Sequence, residues 1–238
     1  MTHSTASCTV QNKSGNFLQA NSFLDGFNVY ICRMDQKKME LLERSSTIFM
    51  KYGLKSVTMD DLCREIGVSK KTIYKYFDDK NDLVLNMMQA KIAMDAHNCS
   101  ICEHEAHNAI DALISISKLV IEQLSNINPS VFFDLQKHYP EAWKLMNDHK
   151  WEYVLNNIRE NIIRGKSENI YRENLDPEII SRYYVSNIDS VMDGEVYPYQ
   201  DFKTDEVLAE VLRFQIRGLA NDNGINYLKE HFNREINE

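Results

Sequence analysis

No stretch of this 238-residue chain approaches the roughly 18 uninterrupted apolar residues that a membrane-spanning helix requires. The N-terminus has no basic segment followed by an apolar run, so no secretory signal is expected. Cysteine is sparse and odd in number, five in all, which suits a reducing compartment and not a disulfide framework; the expected location is cytoplasmic. Eight glycines leave little room for a phosphate-cradling loop. No Ser-His-Asp order and no metal-binding His-Glu pair at helical spacing is present. An enzyme is therefore not expected, nor a resident cofactor or metal.

What is present is an ordinary globular composition, 43% hydrophobic and 26% charged, sufficient for one large domain or two small ones. The formal net charge is -8, and nearly all of the acidity lies beyond residue 83. A near-neutral N-terminal module on an acidic body can still meet a polyanion if its cations share one face.

Residues 1–33 are rich in Ser, Thr, Asn and Gln without a sustained period, and read as a disordered leader, with Phe23 to Cys32 more apolar and open to a short strand or a docking segment. Met34 reads as the functional start. Helical periodicity then runs almost throughout. Leu41, Leu42, Ser45, Ile48, Phe49 and Tyr52 recur at helix spacing and stop at Gly53. Thr58, with Asp61 three positions on, opens a second helix with Met59, Leu62, Cys63 and Ile66 inward. Ser69 caps a third, short helix anchored by Ile73 and Phe77. A fourth begins near Lys80. Pro129 and Pro140 mark two further starts. A long helix through Trp151, Val154, Leu155, Ile158 and Ile162 is expected to stop near Gly165. Asp176-Pro177-Glu178 opens another, and Thr204 is expected to cap the last long one. No strand pair and no repeat emerges, so the fold class is all-α.

The segment Ile66-Gly-Val-Ser-Lys-Lys-Thr-Ile-Tyr-Lys-Tyr-Phe77 concentrates three lysines and two tyrosines just after a glycine and a serine. Two short helices joined by Gly-Val-Ser, each with one apolar face, describe a helix-turn-helix. Gly67 tolerates the positive φ of a tight turn, Val68 plugs the gap between helices, and Ser69 satisfies orphan N–H groups. In this motif the start of the second helix enters the DNA major groove. Lys70, Lys71, Thr72 and Lys75 are not needed for packing and suit base edges or phosphate; Tyr74 and Tyr76 suit phosphate.

The run from Glu40 to Leu83 resembles the DNA-binding domain of TetR-family transcriptional regulators. The matching pieces are Phe49 with Tyr52-Gly53, Val57-Thr58, Leu62 with Ile66-Gly67-Val68-Ser69, Ile73-Tyr74-Lys75-Tyr76-Phe77, and Lys80 with Leu83. Cys63 departs from the pattern where the family usually has a small, alanine-like residue. The helical remainder resembles the family in layout only. The resemblance implies a homodimer that places two recognition helices on one face of a pseudo-palindromic duplex, about 34–36 Å apart or more. It also implies a C-terminal cavity for a small-molecule effector whose occupancy changes the spacing of the heads. Carried over residue by residue, it assigns Thr58, Lys70, Lys71, Thr72, Tyr74, Tyr76 and Lys80 to double-stranded DNA; with Ser69 and Lys75 from the motif itself, these are the candidate DNA contacts. Three parts follow: 1–33 a leader, 34–82 the helix-turn-helix domain, 83–238 the ligand-binding and dimerisation domain.

Other clusters have two readings each. Phe132, Phe133, Trp143 and Trp151 line a ligand pocket or belong to the core. Tyr184, Ile188, Val191, Leu208, Val211, Leu212 and Ile216 form a dimer interface, where the resemblance puts one, or are buried within one chain. His97, Cys99 and Cys102 suggest a metal- or thiol-sensing regulator as the alternative, although no second Cys-x2-Cys follows. The expected function is a ligand-responsive DNA-binding regulator acting as a repressor.

Overall fold

The computed structural model describes residues 35–232, apart from 126 and 129. The expectations for the leader, for Met34 and for a helix start at Pro129 fall outside these residues. Eleven α-helices account for most of the described chain, and its only β feature is an isolated bridge between Tyr171 and Ala220.

Helix α1 (Gln36–Tyr52) starts where the Asp35 carboxylate accepts from the N–H groups of Lys37 and Lys38, and ends at Gly53, with φ 87°. It buries Leu41, Leu42, Ser45 and Phe49, whereas Tyr52, expected on the same stripe, is 52% exposed. Helix α2 (Met59–Ile66) carries a complete capping box between Thr58 and Asp61, and Gly67 ends it in the left-handed region at φ 73° and ψ 37°. Ser69 caps α3 (Lys70–Tyr74) by accepting from the Thr72 N–H. Ile73 and Phe77 are fully buried beneath it. These three helices enclose a core around Phe49, Leu54, Leu62, Ile73, Phe77 and Leu83.

That core does not end with the helix-turn-helix. It continues through α4 (Lys80–Glu105) into α6 (Ser130–His138) and α7 (Pro140–His149), with Val131, Leu135, Tyr139 and Ala142 packed in the same cluster. With 26 residues, α4 is about 39 Å long at 1.5 Å per residue, long enough to link both ends of the molecule. A second core forms from α5 (Ala109–Ser125), α8 (Leu155–Ser167), α9 (Pro177–Val191), α10 (Thr204–Leu219) and α11 (Asp222–His231). Its members include Ile110, Leu113, Ile114, Ile162, Tyr171, Ile216 and Leu228. Between α7 and α8 the backbone continues without a break through five residues of π-helix, Lys150–Val154.

Three boundaries differ from expectation. Helix α8 runs past Gly165 to Ser167; Gly165 is small because the buried Tyr171 ring packs against it, and a Cβ there would lie 2.1 Å from Tyr171 Cδ2. Thr204 is the first residue of α10 and caps nothing; Lys203 precedes it without a side-chain cap bond. One more helix follows. Helix α11 is started by Asn221, whose Oδ1 accepts from the Gly224 N–H, and is anchored by Leu228.

Gly165 supplies a direct stability test. Tyr171 is 1% exposed and its hydroxyl is held by Asn161 Oδ1 at 3.1 Å, so the ring has no room to yield. Gly165→Ala is expected to cost about 2–3 kcal/mol through overpacking, lowering the thermal midpoint by roughly 5–10 °C; scanning calorimetry at a single protein concentration checks it.

Candidate nucleic-acid interface and internal cavity

The helix-turn-helix presents its cations outward because its apolar residues are fully used inward. Opposite Ile73 and Phe77, the side chains of Lys70, Lys71, Tyr74 and Lys75 are exposed. Lys70 Nζ lies 2.7 Å from Asp60 Oδ1 across the turn, with both groups more than 60% exposed. Such an exposed pair exchanges readily for phosphate. Lys75 Nζ sits 5.2 Å from the Tyr76 ring centroid.

Ser69 and Thr72 are joined to each other, Oγ to Oγ1 at 2.8 Å, while Ser69 Oγ also accepts from the Thr72 N–H. The Thr58 hydroxyl donates to Asp61 Oδ2 at 2.6 Å and accepts from the Asp61 N–H at 3.1 Å. That bonding to Thr58, with Arg64 beyond it, holds the Asp61 carboxyl below its usual range. The three hydroxyls therefore shape the motif first, and Tyr76 is half-buried against the core.

Lys80 departs most from expectation. Its ammonium donates to the Leu54 carbonyl and lies over the rings of Phe49 (5.5 Å) and Tyr139 (5.9 Å). Burial lowers its pKa, partly offset by Asp134 and Asp61. The side chain points into the joint between head and body and not toward a phosphate.

Above that joint, between the two cores, lies a cavity of about 1050 Å³. Phe132, Phe133 and Trp143 line it, together with Met50 of α1, Met88 and Ile92 of α4, and Leu113 of α5. Trp151 does not; it turns away on the π-helical segment, where Lys150 Nζ covers its ring at 5.4 Å. One wall is polar. From α4 come Lys91, Asp95, Cys99 and Glu103, each four residues apart, and from the facing segment come His149, Tyr153, Asn157 and Asn161 at the same spacing. The rings of His149 and Tyr153 stack at 5.0 Å. The Tyr153 hydroxyl donates to the Ala96 carbonyl at 3.1 Å. Burial lowers the His149 pKa to about 4 and raises Tyr153 to about 12, so both rings are neutral at pH 7. π-helical insertions often accompany functional sites, and this one helps shape the cavity wall.

Several expected interface residues are used within the chain. Val191, Leu212 and Ile216 are 4%, 9% and 0% exposed. Ile188 faces the cavity and Tyr184 packs on the second core. Leu208 and Val211 are half-buried. The exposed apolar side chains of α9 and α10 are Ile179, Tyr183 and Phe214, at 64%, 55% and 69%; most of the residues that periodicity picked out on these helices are instead partly or fully buried within the chain. The metal or thiol reading fares no better. Among the described residues no group of three or more His, Cys, Asp or Glu is placed to share an ion. Burial, reinforced by Asp95, Glu103 and Cys102, pushes the Cys99 thiol up to about 12, and burial raises Cys102 as well.

Residues 41–87 match the family model described as "Bacterial regulatory proteins, tetR family". These residues belong to the DNA-binding domain of the TetR family, and the chain is a DNA-binding transcriptional regulator of that type. Along most of its length it is similar to YvaF of Bacillus subtilis, an uncharacterised HTH-type transcriptional regulator, with 27% identity over 171 residues, 70% of this chain and 87% of that one. The same fold occurs in a TetR-family regulator of Streptomyces coelicolor, SCO4454 (TM-score 0.60, 16% identity, 77% of this chain and 96% of that one). It also occurs in FadR of Bacillus subtilis in complex with stearoyl-CoA (TM-score 0.60, 18% identity, 76% and 98%). As in these two structures, the described residues are mostly helical, with the helix-turn-helix at their N-terminal end.

Its Cys99 gives a test of the thiol alternative. A thiol titrating near 12 holds only a minute thiolate fraction at pH 7.5, and the thiolate is the reactive form. Labelling of Cys99 by iodoacetamide, followed by peptide mass spectrometry, is expected to run at least tenfold slower in the native regulator than after denaturation.

Proposed function

We propose that this regulator is a homodimeric repressor whose α3 helices read a pseudo-palindromic operator, and that a small molecule in the cavity between the two cores releases it. One observation carries the reading: the helix that lines the cavity is the helix that holds the head. Helix α6 gives Val131, Phe132 and Leu135 to the cavity, and from the same nine residues Asp134 Oδ2 accepts from the Lys55 N–H at 2.8 Å. Just before α6, the Asn128 N–H donates to the Met50 carbonyl at 2.7 Å, and Met50 itself lines the cavity. A ligand that shifts α6 shifts the turn between α1 and α2. DNA and ligand then compete through one equilibrium, and by linkage each weakens the other by the same factor.

The DNA contacts in this reading are Lys70, Lys71, Tyr74 and Lys75, with Ser69, Thr72, Thr58 and Tyr76 supporting at the margins. Lys80 contributes by fixing the start of α4. The residues up to 82 act as the DNA-binding unit and those from 83 onward as the effector and dimer unit, joined by the shared core. The dimer forms through α9 and α10, with Ile179, Tyr183 and Phe214 at its centre and Tyr184, Leu208 and Val211 at its edge. The protein works in the cytoplasm; no helix among the described residues is long and apolar enough to cross a membrane.

Two substitutions test this. On a duplex selected by the protein from random sequences, Lys71→Ala is expected to lower affinity at least fivefold at fixed salt, consistent with about 1–3 kcal/mol for a base contact, with the thermal midpoint unchanged; equal affinity removes Lys71 from the interface. Phe214→Glu places a charge on the proposed dimer face and is expected to give a folded monomer in sedimentation velocity. A dimer of unchanged stability moves the interface elsewhere.

A further inference from the structure

The charge of the cavity wall narrows the class of effector. Carboxylates in the lining outnumber lysines five to two, and no arginine joins them. Both lysines are already engaged: Lys91 Nζ lies 3.2 Å from Asp95 Oδ2, and Lys150 Nζ lies 2.6 Å from Asp189 Oδ2. Glu103 has no such partner among the described residues. Arg164 is the cation that acts on it through space, and that guanidinium is bonded to Glu168 at 2.7 Å. Tyr153 lines the same cavity as Glu103 and is stacked on the neutral His149. A carboxylate without an ion-pair partner, in a chamber it shares with aromatic faces, is complementary to an organic cation. An acyl chain ending in phosphates finds the opposite: its anions need free lysine or arginine, and both lysines here are held by carboxylates.

We propose that the cavity takes a lipophilic organic cation, an amine or quaternary onium with a bulky apolar body, whose charged head lies beside Glu103, Tyr153 and His149 and whose body lies against Phe132 and Trp143. This deepens the effector reading and rests on it for its biological meaning. Burial raises the Glu103 pKa, and a bound cation reverses that by stabilising the carboxylate.

The test uses two ions of nearly the same size and shape and opposite charge. The full-length regulator is titrated calorimetrically at pH 8 with tetraphenylphosphonium, with tetraphenylborate and, separately, with stearoyl-CoA. Tetraphenylphosphonium is expected to bind at least tenfold more tightly than tetraphenylborate. Glu103→Gln, which keeps the shape and relieves a buried charge, is expected to lose at least fivefold of the phosphonium affinity while tetraphenylborate binding stays equal or improves. The proposal is overturned if tetraphenylborate binds as well as the phosphonium, if neither binds, if only stearoyl-CoA binds, or if Glu103→Gln binds the phosphonium like the parent. A parallel DNA-release assay separates the two levels. Phosphonium binding by the expected pattern without release of DNA supports the ligand class and removes the effector role; release by stearoyl-CoA alone keeps the effector role and overturns the ligand class.

Discussion

The buried carboxylate of Asp134 is the interaction on which the architecture turns. At 5% exposure it has left most of its water, and a carboxylate in that position needs strong partners. It accepts from the Lys55 N–H, in the turn that joins α1 to α2. The same turn is held from another side by Lys80, whose ammonium caps the Leu54 carbonyl and feels the Asp134 charge. Gly53 completes the joint: its φ of 87° suits glycine, and a Cβ there would sit 2.6 Å from Ser130 Oγ, on the first residue of α6. Three consecutive residues of the head, 53 to 55, are thus fixed by side chains of α4 and α6. The head has no independent core boundary to slide on, because Val131, Leu135 and Tyr139 are packed in its own cluster.

That arrangement explains what was legible in the sequence. Although Thr204, expected as a cap, is the first residue of α10, much of what is decided within one turn of chain was readable: the Thr58–Asp61 box, the left-handed Gly67, the Ser69 cap, the Asp176-Pro177 start and the inward Ile73 and Phe77. Each is set by contacts three or four residues apart, and sequence spacing encodes them directly. Lys80 was misread because its partners, Leu54, Phe49 and Tyr139, lie 26 or more positions away, and no local pattern announces an ammonium lying over two rings. Val191, Leu212 and Ile216 were misread for a related reason. A stripe of apolar residues shows that a helix face is buried but not which body buries it. Ile179 and Tyr183 share the apolar run of α9 with buried residues yet are exposed, and spacing alone does not separate the two. Gly165 shows the same limit: glycine after a helical run suggests a stop, yet here it makes room for a tyrosine six residues further on.

The cavity follows from having two cores and one long helix. Helix α4 contributes Leu83 and Met87 to the first cluster and turns its C-terminal half to the chamber. A helix committed to a core at one end cannot close fully on a second core at the other, and the chamber occupies the gap. Its polar wall falls on the α4 residues that lie beyond the first core, Lys91 to Glu103, opposite the π-helical turn. Inserting one residue into the helical register re-aims the side chains after it. Tyr153 and Asn157 therefore line the cavity, whereas Trp151 is half-buried outside its lining, with Lys150 over its ring.

Charge placement ties the two ends together. An acidic body repels the DNA backbone, so in the proposed complex the lysines of α3 give duplex DNA its favourable approach, and the repulsion helps orient it. The same excess of carboxylates that keeps the body away from DNA reappears inside, on the chamber wall, where low dielectric strengthens its effect on a bound ion. A cationic ligand would relieve that internal charge by binding beside Glu103. The strain it relieves and the movement it imposes on α6 would then come from the same event. The free energy available to shift the head is limited to the difference in ligand affinity between the two positions of α6. Because Asp134 links that helix to the Lys55 N–H through one strong bond and no intervening loop, little of that difference need be lost before it reaches the DNA-binding helices.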